Sequence, residues 1–246
     1  MLNEKEKTDY DIMTILRAAD GEPMGCGSIS VKLQTLGYSF SEATVGRILR
    51  ELDFSGFTQK AGYRGRILSD IGKDKLTDLD GKVRRLKCGE ELMAAVQGHT
   101  KEQLLDILIA RRAIEGELTY LAAQNGQLEE VRALEDVLAR QISKLKNGVS
   151  AAAEDLEFHN QIVQMARNRI LLAAVALIRQ DTLLSPVLER IKRHVHSLLH
   201  VADHQKIVEN IASGNGDAAR VAMVEHINSL ISDVEKYWET IDQQFN

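Results

Sequence analysis

Ser39-Phe-Ser-Glu-Ala-Thr-Val-Gly-Arg-Ile-Leu-Arg-Glu-Leu52, with Gly56-Phe-Thr-Gln-Lys60, Ala61-Gly-Tyr-Arg-Gly65 and Arg66-Ile-Leu-Ser69 close behind it, is the stretch that decides the fold. It opens on a capping-box pattern, Ser39 to Glu42, and then sets Val45, Ile48, Leu49 and Leu52 along one helical face. After Gly56 the period shortens to that of a strand. Two short strand-like segments flank a turn that carries Gly62 and Gly65. Working back, Tyr10–Ala19 places Ile12, Ile15, Leu16 and Ala19 on one face, and Gly21 to Gly27 breaks the chain. Ser28–Leu36 forms a second short helix with Ile29, Leu33 and Leu36, closed by Gly37. Working forward, a short helix is expected over Ile71–Leu79. Three helices followed by a β-hairpin is the order of a winged helix-turn-helix, expected to occupy residues 1–80.

In such a unit the third helix reads the major groove. Opposite its apolar stripe lie Glu42, Thr44, Arg47 and Arg50. Arginine can bond guanine O6 and N7 in bidentate fashion, and Ser41 or Thr44 can position a phosphate. The hairpin tip adds Lys60, Tyr63, Arg64 and Arg66 for phosphates or the minor groove. Each of these charges also reads as part of a solvated face. Ile12 to Leu79 resembles the winged helix of NrpR-type repressors and of the ribonuclease R N-terminus. The segments that carry the likeness are Leu36-Gly-Tyr38, Val45-Gly-Arg-Ile-Leu-Arg-Glu-Leu52, Gly62-Tyr-Arg-Gly-Arg66 and Ile71-Gly72. In the repressors this implies DNA binding; in the nuclease it implies an accessory module.

Charge fits a head joined to a different body. The net charge of −5 argues against a nucleic-acid coat. Residues 1–87 nevertheless carry 15 Lys+Arg against 13 Asp+Glu, while the rest carries 16 against 23. Two prolines and 4% aromatics point toward helix. Cys26 and Cys88 make neither a disulfide framework nor a zinc knuckle, so a reducing cytoplasm is expected. No signal peptide is read at the N-terminus, and no apolar run reaches the ~20 residues of a membrane span, so no membrane partner is expected.

Residues 81–100 read as a linker, beginning at Asp80-Gly and carrying the basic run Lys82-Val-Arg-Arg-Leu-Lys87. From Thr100, itself a capping-box candidate with Gln103, the pattern is helix after helix with short turns. The expected spans are roughly 101–124, 127–146, 151–166, 169–183, Pro186 to Ser213, and 217–241. The fold expected is therefore mainly α, a winged helix-turn-helix followed by an antiparallel bundle of about six helices over 101–246.

Six of the seven histidines lie in that bundle. Asp155 and His159 stand one helical turn apart on a face continued by Ile162, Val163 and Ala166. His204 precedes Ile207, Val208 and Ile211. His226 lies among Val221, Met223, Ile227 and Leu230. Three inward imidazoles and a carboxylate suit a divalent metal with a position left open, zinc first, with nickel, manganese or iron also able to use it. By spacing alone, the same histidines also read as hydrogen-bonded core residues.

Residues ~101–240 resemble the FCD ligand-binding domain of the GntR superfamily. The likeness rests on Ile109-Ala-Arg-Arg-Ala-Ile-Glu115 with Leu121-Ala-Ala123, and on Asp155-Leu-Glu-Phe-His-Asn160 leading to Ala166-Arg-Asn168. It continues through His204-Gln-Lys-Ile-Val-Glu-Asn-Ile211, Ser213-Gly214, Asp217-Ala-Ala-Arg220 and Met223-Val-Glu-His226. That resemblance implies a metal held by Asp155, His159, His204 and His226. It also implies a small carboxylate effector facing Arg111, since guanidinium is a fixed bidentate partner for carboxylate. His194, His196 and His200 match no ligand position; His200, one turn before His204, reads either as a group behind a ligand or as an alternative ligand. The head departs from the winged helix usual in that superfamily, so operator sequence and spacing do not carry over.

The function expected is a dimeric, ligand-responsive transcription regulator that binds double-stranded DNA. Two alternatives are a regulator whose signal is the metal itself and a metal-dependent hydrolase with Glu115 or Glu157 as base. No HExxH and no glycine-rich phosphate loop favours the hydrolase.

Overall fold

The computed structural model describes residues 2–97, 100–179, 191 and 198–244, and side chains throughout except at 198–200 and 241–244. The chain divides into two compact units, Met1–Leu92 and Met93–Asn246.

The N-terminal unit contains α1 (Glu4–Ala18), α2 (Cys26–Thr35), α3 (Glu42–Phe54), β1 (Thr58–Lys60) and β2 (Arg66–Leu68). Helix α1 starts at a reciprocal cap, in which Asn3 and Glu6 satisfy each other's backbone amides. The strands pair antiparallel with Gln59 opposite Ile67, and a single bridge joins Met24 to Arg66 beside them. The sequence pattern is visible in the core, where Ile12, Leu16, Ile29, Leu33, Val45, Leu49, Leu52 and Leu68 pack together. Gly65 is required where it is. Its φ is +132°, and a Cβ there would lie 2.3 Å from the Met24 carbonyl group.

Two local expectations are corrected. The cap of α3 is Ser41, whose hydroxyl accepts the Thr44 amide, and not Ser39. The short helix over 71–79 is the start of α4 (Asp70–Ala95), which runs on through much of the stretch expected as a linker. Gly81 and Gly89 each cost about 1 kcal/mol relative to alanine in a helix. The surrounding Lys, Arg, Leu, Glu and Ala residues are strong helix formers and carry the helix across both. At its start, Ser69 accepts the Gly72 amide and donates to the Gly56 carbonyl.

The C-terminal unit holds α5 (Lys101–Asn125), α6 (Leu128–Lys146), α7 (Ala152–Met165), α8 (Arg169–Arg179), α9 (Leu198–Ala212) and α10 (Gly216–Gln244). Helices α5 and α10 pack along each other; α9 contacts α5, α6 and α10, while α7 contacts α5 and α6. Short turns at 126–127 and 213–215 fold successive helices back. Phe158, Leu108, Leu134, Ile207, Met223 and Ile227 fill the centre. The polar residues buried among these apolar side chains form the candidate site.

Candidate metal centre and DNA-facing surface

His159 on α7, His204 on α9 and His226 on α10 are buried to 2%, 0% and 0% exposure. Each offers a ring nitrogen, and these three donor atoms all lie within 4.8 Å of one another. The Nε2 atoms of His204 and His226 are 3.4 Å apart. Two nitrogens bound to one zinc at about 2.1 Å in tetrahedral arrangement would stand roughly this far apart. Asp155 is at the margin: its Oδ1 lies 3.8 Å from His204 Nε2 and its side chain keeps 22% exposure. The structure thus brings the three imidazoles together and leaves the carboxylate on the wetter side.

Behind each ring stands a second polar group. Gln141 Oε1 is 2.9 Å from His204 Nδ1, Glu115 Oε2 is 3.0 Å from His159 Nδ1, and Asp203 Oδ2 is 3.7 Å from His226 Nδ1. The Glu115 contact is close but poorly aligned as a hydrogen bond. Phe158 stacks on the face of His204 at 4.2 Å, with the planes within 13°. Outer partners of this kind orient imidazole ligands. Burial, and then repulsion from the Arg179 guanidinium, holds His159 below its ordinary value. It is therefore neutral at neutral pH, the form that binds metal. The donor set fits a borderline divalent ion: nitrogen-rich, thiolate-free and desolvated.

Arg111 is 5% exposed and donates its Nε–H to Glu115 Oε1 at 2.6 Å. Glu115 thus spans Arg111 and His159. Burial pushes its carboxyl up, but Arg111, His159 and Arg179 together outweigh that and hold it well below the usual range. Its carboxylate is held between Arg111 and His159, and Glu157 is paired with Arg140 on the surface at 2.7 Å. His99, His194, His196 and the side chain of His200 lie outside the described residues. Sequence reasoning missed Gln141. Its signal was a lone amide continuing the buried stripe Leu134, Val137, Leu138 on α6.

On the N-terminal unit, Ser41, Arg47 and Arg50 are exposed on α3 and Thr44 is half-buried. Arg47 pairs with Glu51 at 2.7 Å on the open surface. On the hairpin, Lys60, Tyr63 and Arg64 are exposed, Tyr63 completely. Arg66 is not. Its side chain is 11% exposed, and its Nε donates to both oxygens of Asp53, at 3.1 and 2.9 Å. Thr58 donates to the same Asp53. Among the hairpin residues expected to contact DNA, Arg66 is the one paired with Asp53, which ties β2 to α3.

Comparison with known proteins accords with both units. Residues 106–229 match the FCD domain, and residues 10–76 match the ribonuclease R winged-helix domain. The global nitrogen regulator NrpRI of Methanosarcina mazei is 38% identical over 73 residues, 30% of this chain and 22% of that protein. The Uxu operon regulator of Haemophilus influenzae is 24% identical over 140 residues, 53% of each chain. The chain thus spans about a fifth and about half of these relatives. Among solved structures, E. coli McbR/YncC is similar with a TM-score of 0.49 at 14% identity, over 97% of this chain and 100% of that one. Streptococcus agalactiae GntR gives 0.44 at 16% identity, over 93% and 99%.

Proposed function

This chain belongs to the FCD-domain family of GntR-type transcription regulators, and from that membership we propose that it is a homodimeric, ligand-responsive, cytoplasmic regulator whose C-terminal unit binds a divalent metal and a small carboxylate. The observation that carries the proposal is the convergence of three buried imidazoles inside the matched domain. Three imidazole nitrogens brought this close inside an apolar bundle, each ring with a polar group behind it, form a donor set that a divalent ion would bridge. His159, His204 and His226 hold the metal, with Asp155 as the fourth ligand on the open side. Zinc suits this set foremost, and the ion supplies a fixed positive charge toward which an effector oxygen is drawn.

Arg111 is the second anchor for a carboxylate. Because its guanidinium already holds Glu115, an arriving carboxylate must share it or displace Glu115, and Glu115 also touches His159. Effector binding therefore disturbs the packing of α5 against α7. Such differential contact is what a ligand needs in order to bias a two-state equilibrium.

The N-terminal unit binds duplex DNA through Ser41, Thr44, Arg47 and Arg50 of α3 and Lys60, Tyr63 and Arg64 of the hairpin. A phosphate can take the place of Glu51 beside Arg47. Among the described residues, no helix is long and apolar enough to cross a membrane.

The test is binding of the purified protein to DNA upstream of its own gene across a salt series, with and without zinc, and with a panel of small mono- and dicarboxylates. Salt-dependent binding that a carboxylate shifts only when metal is present supports the reading. No salt-dependent binding in any condition overturns it. A response to metal that no carboxylate alters makes the metal itself the signal.

A further inference from the structure

Gln141 lies on α6, a helix that carries no proposed ligand, yet it is 4% exposed and touches two of them. Its Nε2 donates to Asp155 Oδ1 at 3.4 Å, and its Oε1 faces His204 Nδ1 at 2.9 Å. An amide has one accepting end and one donating end, and a carboxylate can only accept. Asp155 therefore dictates which way the amide points: NH2 toward the carboxylate and oxygen toward the ring. An oxygen 2.9 Å from Nδ1 in turn requires the proton of neutral His204 to sit on Nδ1. That leaves Nε2 bare, and Nε2 is the atom 3.4 Å from the corresponding nitrogen of His226. The parallel stack of Phe158 on the ring holds its plane while the amide holds its edge.

We infer that Gln141 is the positioning residue of the metal site, transmitting the orientation of Asp155 to His204 and fixing the tautomer that presents Nε2 to the ion. The inference rests on the metal reading above for its purpose, but its physical content lies in the metal-free protein. Gln141 touches no metal and acts through His204. Its two contacts also link α6, α7 and α9, so the amide sets the spacing of two ligands on different helices as well as the proton on one. Outer partners of this kind typically contribute 10- to 100-fold in metal affinity.

The experiment uses the full chain, with histidine labelled at the ring nitrogens, as wild type, Gln141→Leu and Gln141→Glu. Two quantities are read: the tautomer of His204 by long-range nitrogen–proton NMR in the metal-free protein, and the zinc dissociation constant by competition with a chelating dye. In wild type His204 is expected to carry its proton on Nδ1. Gln141→Leu should lose that preference and bind zinc about 10- to 100-fold more weakly. Gln141→Glu keeps an acceptor at the same reach and should retain the Nδ1–H form, with zinc binding recovered relative to the leucine variant. A folded leucine variant with the wild-type tautomer and affinity overturns the assignment, as does a wild-type His204 protonated on Nε2. If wild type binds no zinc, the metal reading falls. The tautomer in wild type and in the glutamate variant then decides the role of Gln141 by itself.

Discussion

Zinc at about a hundred times its dissociation constant is expected to raise the thermal midpoint of the C-terminal unit by roughly 5–10 °C. The magnitude follows from where the ligands come from. His159, His204 and His226 sit on α7, α9 and α10, and only folding brings their nitrogens within 4.8 Å of one another. The unfolded chain offers no such site, so binding adds to folding stability by mass action, about 2.7 kcal/mol at a hundredfold excess over the dissociation constant. A domain of this size shifts by roughly 2–4 °C per kcal/mol. Trp238 is the single tryptophan and packs against the core of the C-terminal unit, so its fluorescence during melting follows that unit alone. Replacing His226 by Ala removes one donor and also opens a cavity, which lowers the metal-free midpoint by itself. The quantity to compare is therefore the difference between the zinc-loaded and chelator-treated midpoints in each protein. His226→Ala should lose most of that difference. A shift under about 1 °C in wild type at this excess, or an equal shift in His226→Ala, would refute the reasoning.

Four further outcomes test the N-terminal unit. Arg50→Ala and Arg64→Ala should each weaken DNA binding and lower the salt slope by about one, in a fluorescence-anisotropy titration. Arg66→Ala should instead leave the Asp53 carboxylate underpartnered and cost about 1.5–3 kcal/mol of unfolding free energy, measured by urea denaturation; a loss of DNA contacts without loss of stability contradicts its assignment to Asp53. Gly65→Ala meets both the positive φ and the Met24 backbone, so a loss of roughly 1–3 kcal/mol is expected, and a neutral result would mean that the hairpin sits farther from Met24. Asp80 accepts hydrogen bonds from Arg17 at 2.6 Å and Tyr10 at 2.9 Å. The Arg17 bond outweighs burial and, with Tyr10, holds the carboxyl below its ordinary value. Its contribution is therefore complete above the usual carboxylate pKa and lost as pH falls through the depressed one. Asp80→Asn should flatten the acid limb of stability by circular dichroism, and an unchanged acid limb argues against this pairing.

By itself the sequence determined the elements and their order. Helical and strand periods are local properties of the chain. The stripe Val45, Ile48, Leu49, Leu52, the glycines of the hairpin and the short turns of the bundle therefore spoke for themselves. The inward faces carrying His159, His204 and His226 were legible for the same reason, since a buried stripe shows in the spacing of its apolar neighbours. Pairings between distant residues are not written in any period. Only the tertiary structure decided that these three rings meet and that Asp155 stays at their edge. It also spent Arg66 on Asp53 and set Glu115 between Arg111 and His159. Each depends on how two helices, or a helix and a strand, dock. Docking is a long-range balance of packing and charge. The Asp80-Gly81 step misled for the opposite reason: it is a local breaker, and the helix formers on either side outweighed it. Gln141 joins the two levels. Its place on a buried stripe was visible in the sequence, but the orientation of its amide exists only because α7 sets Asp155 on one side of it and α9 sets His204 on the other.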